Sequence, residues 1–335
     1  MSTKRKSTEK NKIKKKILKI ETAPLVNSIK DLIEIGKTLT FYKNINSIML
    51  WNIVPHLEEL DKIIGMESLK DTIFYQIIYY LQGMHIRNKN EEYLHTMIFG
   101  EPGCGKTTVA RIIAKLYQAM GVLSESGPFI IAHRDDFIAG YLGQTAIKTR
   151  KLLESCIGGV LFVDEVYSLT PRNSEKDIFS DEAIETITAF LSEHKNDFCF
   201  IGAGYEDDII NRFFKKNKGL ERRFQWVHKI EKYKAEELAD IMLKMISDMN
   251  WISGVDKNDI INLLKKDMNC FKYAGGDIEI FLSKCKMIHA KRVFILDKEH
   301  KFILTKKDLE DTIVIFKKSK LKTEDDVSIP LGMYT

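Results

Sequence analysis

The chain has 335 residues, 44% of them hydrophobic and 30% charged, with a formal net charge of +5. That length leaves room for two domains with a sizeable core. The longest apolar run, residues 73–81, is nine long and contains Gln76, which excludes a spanning helix of about 18 residues or more. The N-terminus has no apolar stretch after its basic residues, so it does not read as a secretory leader.

The charge is lopsided. Residues 1–20 hold nine Lys/Arg and one Glu, so this arm is +8 and the remainder of the chain is −3. The body therefore does not read as a nucleic-acid surface. The arm is either a solvated tail or a contact for an anionic partner such as nucleic acid, membrane or a transport receptor. Five cysteines (104, 156, 199, 270 and 285) lack C-x-x-C spacing and neighbouring histidines. Reduced thiols, an intracellular location (cytoplasm, with the nucleus open through the basic arm) and no zinc site follow as expectations.

In chain order, a helical segment is expected over 21–56, ended by Pro55; the stretch Leu57 to Gly65 follows, and then a long helical pattern through about residue 88. Met97-Ile98-Phe99 then reads as a strand entering Gly100-Glu101-Pro102-Gly103-Cys104-Gly105-Lys106-Thr107, which fits G-x-x-x-x-G-K-[ST]. The glycines let backbone N–H groups converge on an anion. Lys106 supplies a point charge for the β/γ-phosphates, and the Thr107 hydroxyl suits Mg²⁺. Thr108 and the helix through Leu116 follow, and the helix adds its N-terminal dipole to the site.

Beyond it, strands at 128–132, 159–163 and 198–201 alternate with helical stripes at 145–156 and 183–191. Strands separated by helices imply right-handed crossovers and a parallel, doubly wound α/β sheet. The strand 159–163 ends in Asp164-Glu165. Asp164 is placed to hold the Mg²⁺ shell with Thr107, and Glu165 to polarise the water that attacks the γ-phosphate. ATP and Mg²⁺ are thus the expected ligands. After about residue 231 helical patterns dominate, at 234–250, 256–270 and 276–294, with a capping box Thr305-x-x-Asp308 opening a last helix. The domains expected are a tail (1–20), a helical segment (21–56), the nucleotide-binding unit (57–231), a helical lid (232–318) and a loose end (319–335).

On these residues the chain resembles the AAA+ ATPases, in the branch containing red-type Rubisco activases and stage V sporulation protein K. The likeness covers about 57–300 and rests on GEPGCGKTTVAR, RDDFIAGYLGQTAIKT, GGVLFVDEVYSL, FIGAGYEDDI and KNKGLERRF. It implies a P-loop NTPase sheet of five parallel strands followed by a small α-helical lid. It implies base contacts at Ile64 and Gly65, an aromatic pore loop at Tyr141-Leu142-Gly143, and a trans-acting arginine at Arg223, with Arg222 as the alternative. Gly204-Tyr205 occupies the place of the usual polar sensor, as in this branch. The lid departs from the bacterial relatives: Ala274-Gly275-Gly276-Asp277-Ile278-Glu279 carries no arginine, and the nearby basic residues are Lys284, Lys286, Lys291 and Arg292. The function implied first is an ATP-hydrolysing homo-hexameric ring motor that threads or remodels a polypeptide. The alternatives are a nucleic-acid motor or loader using the basic arm, and a low-turnover ATP-dependent scaffold.

Overall fold

The structure is a computed structural model that describes residues 26–38, 44–86, 92–141, 143–171 and 177–325. The basic arm 1–20 and Leu142 lie outside these residues, as do 326–335. Among the described residues no helix is long and apolar enough to cross a membrane.

Three helices precede the sheet: α1 (Ile29–Lys37), α2 (Ser47–Asp61) and α3 (Glu67–Leu81). Pro55 does not end α2, as had been expected, but sits inside it. Its missing N–H and ring clash cost about 3 kcal/mol. Yet Pro55 is exposed, so the carbonyl it orphans, on Trp51, lies on the solvent side. Opposite it, Ile53, Leu57 and Leu60 are fully buried. Each such side chain contributes about 1.5–3 kcal/mol, so burial outweighs the proline. Leu57 and Leu60 share one core with Ile112, Ile113 and Leu116 of helix α4 (Lys106–Ala119), and the expected division at 56/57 falls within a helix. A Cβ on Gly36 would lie 2.4 Å from Val54, so a glycine there lets α1 and α2 approach closely.

The sheet comprises β1 (Thr96–Phe99), β2 (Phe129–Ala132), β3 (Val160–Val163), β4 (Cys199–Gly204) and β5 (Trp226–Lys229), all parallel, in the order β2-β3-β4-β1-β5. The three central strands are buried on both faces, which is why they read as unbroken apolar runs. Helices α5 (Gln144–Glu154) and α6 (Ile178–Glu193) cover one face, on a core that includes Phe190, Phe198 and Phe200; α4 covers the other.

The lid has its own core, built from α7 (Ala235–Asp248), α8 (Lys257–Lys266), α9 (Ala274–Val293) and α10 (Lys306–Asp325). A small parallel pair, β6 (Ile252–Ser253) and β7 (Ile303–Leu304), which the sequence did not suggest, closes one end of the lid. One half of the expected capping box forms, the Asp308 carboxylate accepting from the Thr305 amide at 2.9 Å, and the Thr305 hydroxyl donates to the same carboxylate at 2.9 Å. Asp308 is fully buried; Arg292 donates to it at 2.7 and 2.9 Å, holding its carboxyl well below the usual carboxylate range against the upward push of burial. The loose end expected from residue 319 is corrected in part, because α10 continues to Asp325. Lys284 donates to Ser319 at 2.8 Å and Lys320 pairs with Asp277, so side-chain contacts carry the helix past 318.

Candidate nucleotide site

β1 delivers the chain to the loop, and its ladder with β4 extends one residue further, where the Gly100 amide donates to the Gly204 carbonyl at 3.0 Å. Gly103 (φ +70) and Gly105 (φ +95) take left-handed backbone, so the loop turns without strain into α4. Cys104 tucks its thiol beneath Gly100, where burial raises its pKa. Pro102 and Glu101 are half-buried, and Glu101 faces Lys232 at 3.8 Å. Lys106 is only 7% exposed; its Nζ donates to the carbonyls of Gly100 (3.3 Å) and Glu101 (3.0 Å).

The acidic pair lies opposite. Asp164 Oδ1 is 4.0 Å from Lys106 Nζ and accepts the Glu165 amide at 3.0 Å. Glu165 is exposed and left-handed (φ 48), a conformation that costs a non-glycine residue about 1–3 kcal/mol and persists only where its surroundings enforce it. Those surroundings are visible. Tyr167 lies two residues beyond Glu165, and a Cβ on Gly204 would lie 2.7 Å from the Tyr167 ring, so the end of β4 presses on this turn. Arg212 donates to the carbonyls of Tyr167 and Thr170 at 3.1 Å and stacks over Tyr167 at 5.1 Å. Arg134, after β2, donates to the Ser168 carbonyl at 2.6 Å and to Asp177 at 2.7 Å. Two guanidinium groups thus clamp the segment that aims Glu165.

Thr107 is half-buried, and no residue among those described engages its hydroxyl. No cluster of three or more metal-ligating side chains occurs among the described residues. Thr107 and Asp164 fit Mg²⁺ in the way that ion is commonly held, by one or two carboxylates with water and substrate phosphate supplying the remaining positions.

Between this loop and the lid is a cavity of about 250 Å³. It is lined by Ile63, Ile64 and Met66, by Gly103 to Gly105 and Thr108 from the loop and the start of α4, and by Ile241, Lys244, Met245 and Asp248 of α7. Ile64, which the resemblance implies as a base contact, lines this cavity. Gly65 is adjacent but does not line the cavity; a Cβ there would lie 2.7 Å from Glu237. Tyr233, which the sequence did not single out, lines the cavity and donates to the Cys104 carbonyl at 3.1 Å. The lid residues at 241, 244, 245 and 248 share one helix face by spacing alone, a signal that could have found them.

The remaining expected residues lie elsewhere. Tyr141 is 74% exposed, between β2 and α5, and Gly143 (φ 78) precedes the first turn of α5. The base of this loop is anchored: Thr149 donates to the Phe137 carbonyl at 3.1 Å, Lys148 to that of Ile138 at 2.9 Å, and the Ala139 amide to Thr145 at 3.2 Å. Arg223 donates from Nε to Ser192 at 2.7 Å and from Nη1 to the Gly219 carbonyl, leaving Nη2 without a partner among the described residues. Arg222 is exposed.

Comparison with known proteins agrees with this geometry. The profile of the "ATPase family associated with various cellular activities (AAA)" matches residues 96–226. The chain is 36% identical over 276 residues to the cfxQ-like protein R730 of Acanthamoeba polyphaga mimivirus, covering 81% of this chain and 67% of that one. It is 38% identical over 230 residues to stage V sporulation protein K of Bacillus subtilis, covering 65% and 69%. A RuvB mutant from Thermotoga maritima superposes with a TM-score of 0.54 at 17% identity, over 76% of this chain and 72% of that one, which speaks to the fold alone.

Proposed function

Since the chain belongs to the AAA family of ATPases, we propose that it is a Mg²⁺-dependent ATP hydrolase that works as a homo-hexameric ring and threads or remodels a polypeptide. The backbone of Gly103 to Gly105 and Lys106 bind the triphosphate, with the base in the cavity beside Ile64. Thr107 and Asp164 would hold the cation, which when bound would supply positive charge against the phosphates. Glu165 accepts the proton of the attacking water. Arg223 of a neighbouring copy stabilises the charge that develops on the γ-phosphate.

The observation that carries the polypeptide reading is Tyr141: a large ring exposed at the tip of a loop whose base is tied down by Thr145, Lys148 and Thr149. An aromatic face grips varied side chains at low entropic cost, and anchoring at the base lets a shift of β2 reach the tip. Tyr141→Ala should keep basal hydrolysis and lose substrate remodelling, together with any stimulation of hydrolysis by substrate. Tyr141→Phe should retain both, because the ring and not the hydroxyl makes the contact. Steady-state ATPase and unfolding assays on the two variants check this; a Tyr141→Ala ring that remodels at the normal rate refutes threading.

A further inference from the structure

The lid lacks an arginine where the bacterial relatives carry one, yet it meets the phosphate loop directly. A Cβ on Gly103 would lie 2.5 Å from the Tyr273 carbonyl and 3.1 Å from the Gly276 amide, and one on Gly275 would lie 3.2 Å from the Gly103 carbonyl. Three glycines therefore permit a backbone-to-backbone junction between loop and lid. Gly275 also lines the base cavity. A shift of the first turn of α9 moves both the phosphate loop's neighbour and a wall of the nucleotide pocket.

The position of that first turn is fixed from the far end of the lid. Asp277 is fully buried; its Oδ2 accepts the Tyr273 amide at 2.7 Å and its Oδ1 accepts Lys320 of α10. The Lys320 ammonium also lies 5.4 Å from the centres of the Tyr273 and Phe316 rings. Ala274, between Tyr273 and the two lid glycines, is left-handed (φ 46), so the turn is held in a conformation alanine does not choose for itself. Only the Asp277 side of the pair is buried, with Lys320 partly exposed; such a pair is a poor source of net stability, because desolvation of the buried carboxylate offsets much of the attraction, but removing the lysine leaves that carboxylate unpaired. Its value here is positional.

We infer that the Asp277–Lys320 pair is a positioning device of the nucleotide site: it seats the start of α9 against Gly103 and couples the C-terminal helix to nucleotide binding. Neither residue touches the nucleotide; both act through Tyr273, Gly275 and Gly276. This rests on the reading of the cavity as an ATP site.

The test uses the full chain and a fluorescent ATP analogue, with wild type titrated first. Lys320→Met keeps the packing stem and removes the charge, whereas Lys320→Arg keeps the charge. Lys320→Met should raise Kd and KM for ATP about tenfold, inside the roughly 5–150-fold range of coupling between sites, with kcat changed much less. Lys320→Arg should restore wild-type affinity, and Asp277→Asn should match Lys320→Met. A simple stabilising role would lower the melting temperature and leave Kd alone at an assay temperature well below it. Lys320→Met within twofold of wild-type Kd, or Lys320→Arg as defective as Lys320→Met, overturns the proposal. If the variants do not fold, hydrogen exchange in wild type decides: ATP should protect 273–277 and 316–320 together, and protection of the first segment alone overturns it. A wild-type chain that binds no ATP is a separate outcome, and refutes the functional reading itself.

Discussion

Arg223→Ala is expected to leave the ATP affinity of an isolated subunit nearly unchanged and to cut ring-dependent hydrolysis by about 10³-fold or more, the range of an arginine supplied in trans. The effect is large because the group acts only on charge that develops in the transition state. Within its own subunit Arg223 donates from Nε to Ser192 at 2.7 Å and from Nη1 to the Gly219 carbonyl. Mixing Arg223→Ala with Lys106→Ala subunits provides the check. One variant lacks the acting arginine and the other the binding lysine, so mixed rings should contain some sites with both intact and recover activity. No recovery at any mixing ratio counts against a trans role. If Arg222→Ala shows the loss while Arg223→Ala does not, the exposed neighbour is the acting group.

Glu165→Gln is expected to bind ATP as wild type does and to slow turnover by about 10²–10⁴-fold, the contribution of a positioned general base. The amide keeps the side chain's size but cannot take a proton. Lys106→Ala is the contrasting control: it removes the side-chain charge proposed to bind the phosphates and should abolish binding itself. Single-turnover hydrolysis measured beside nucleotide binding separates the two. Hydrolysis by Glu165→Gln at the wild-type rate would show that the assigned chemistry is wrong.

How much of this was readable depends on where each residue sits. β1, β3 and β4 are buried on both faces, so their apolar runs announced them, and the loop 100–107 carries its pattern locally. β5 is an edge strand whose Val227 and Lys229 face solvent; its composition, Trp226-Val227-His228-Lys229, gave no strand signal, and only the family resemblance implied it. Pro55 misled because the local rule for proline ignores the three buried side chains that hold its helix together. Tyr233, Met245 and Asp248 are far in sequence from Gly103, and only folding of the lid brings them to one cavity. The clamps at Arg134 and Arg212 were invisible for a similar reason: each is defined by carbonyls of residues 167–170, and a carbonyl has no sequence signature. The lid arginine's absence was legible. What stands there instead, a glycine junction seated by Asp277 and Lys320, was not.

A motor that spends ATP on polypeptide, as proposed above, responds to its substrate through its rate of hydrolysis. The most direct measurement is its steady-state ATPase rate alone and with unfolded protein, single-stranded DNA or duplex DNA added. A rate raised by unfolded protein and unchanged by either nucleic acid is the predicted result. A rate raised by DNA and indifferent to polypeptide would contradict that proposal and assign the motor to nucleic acid.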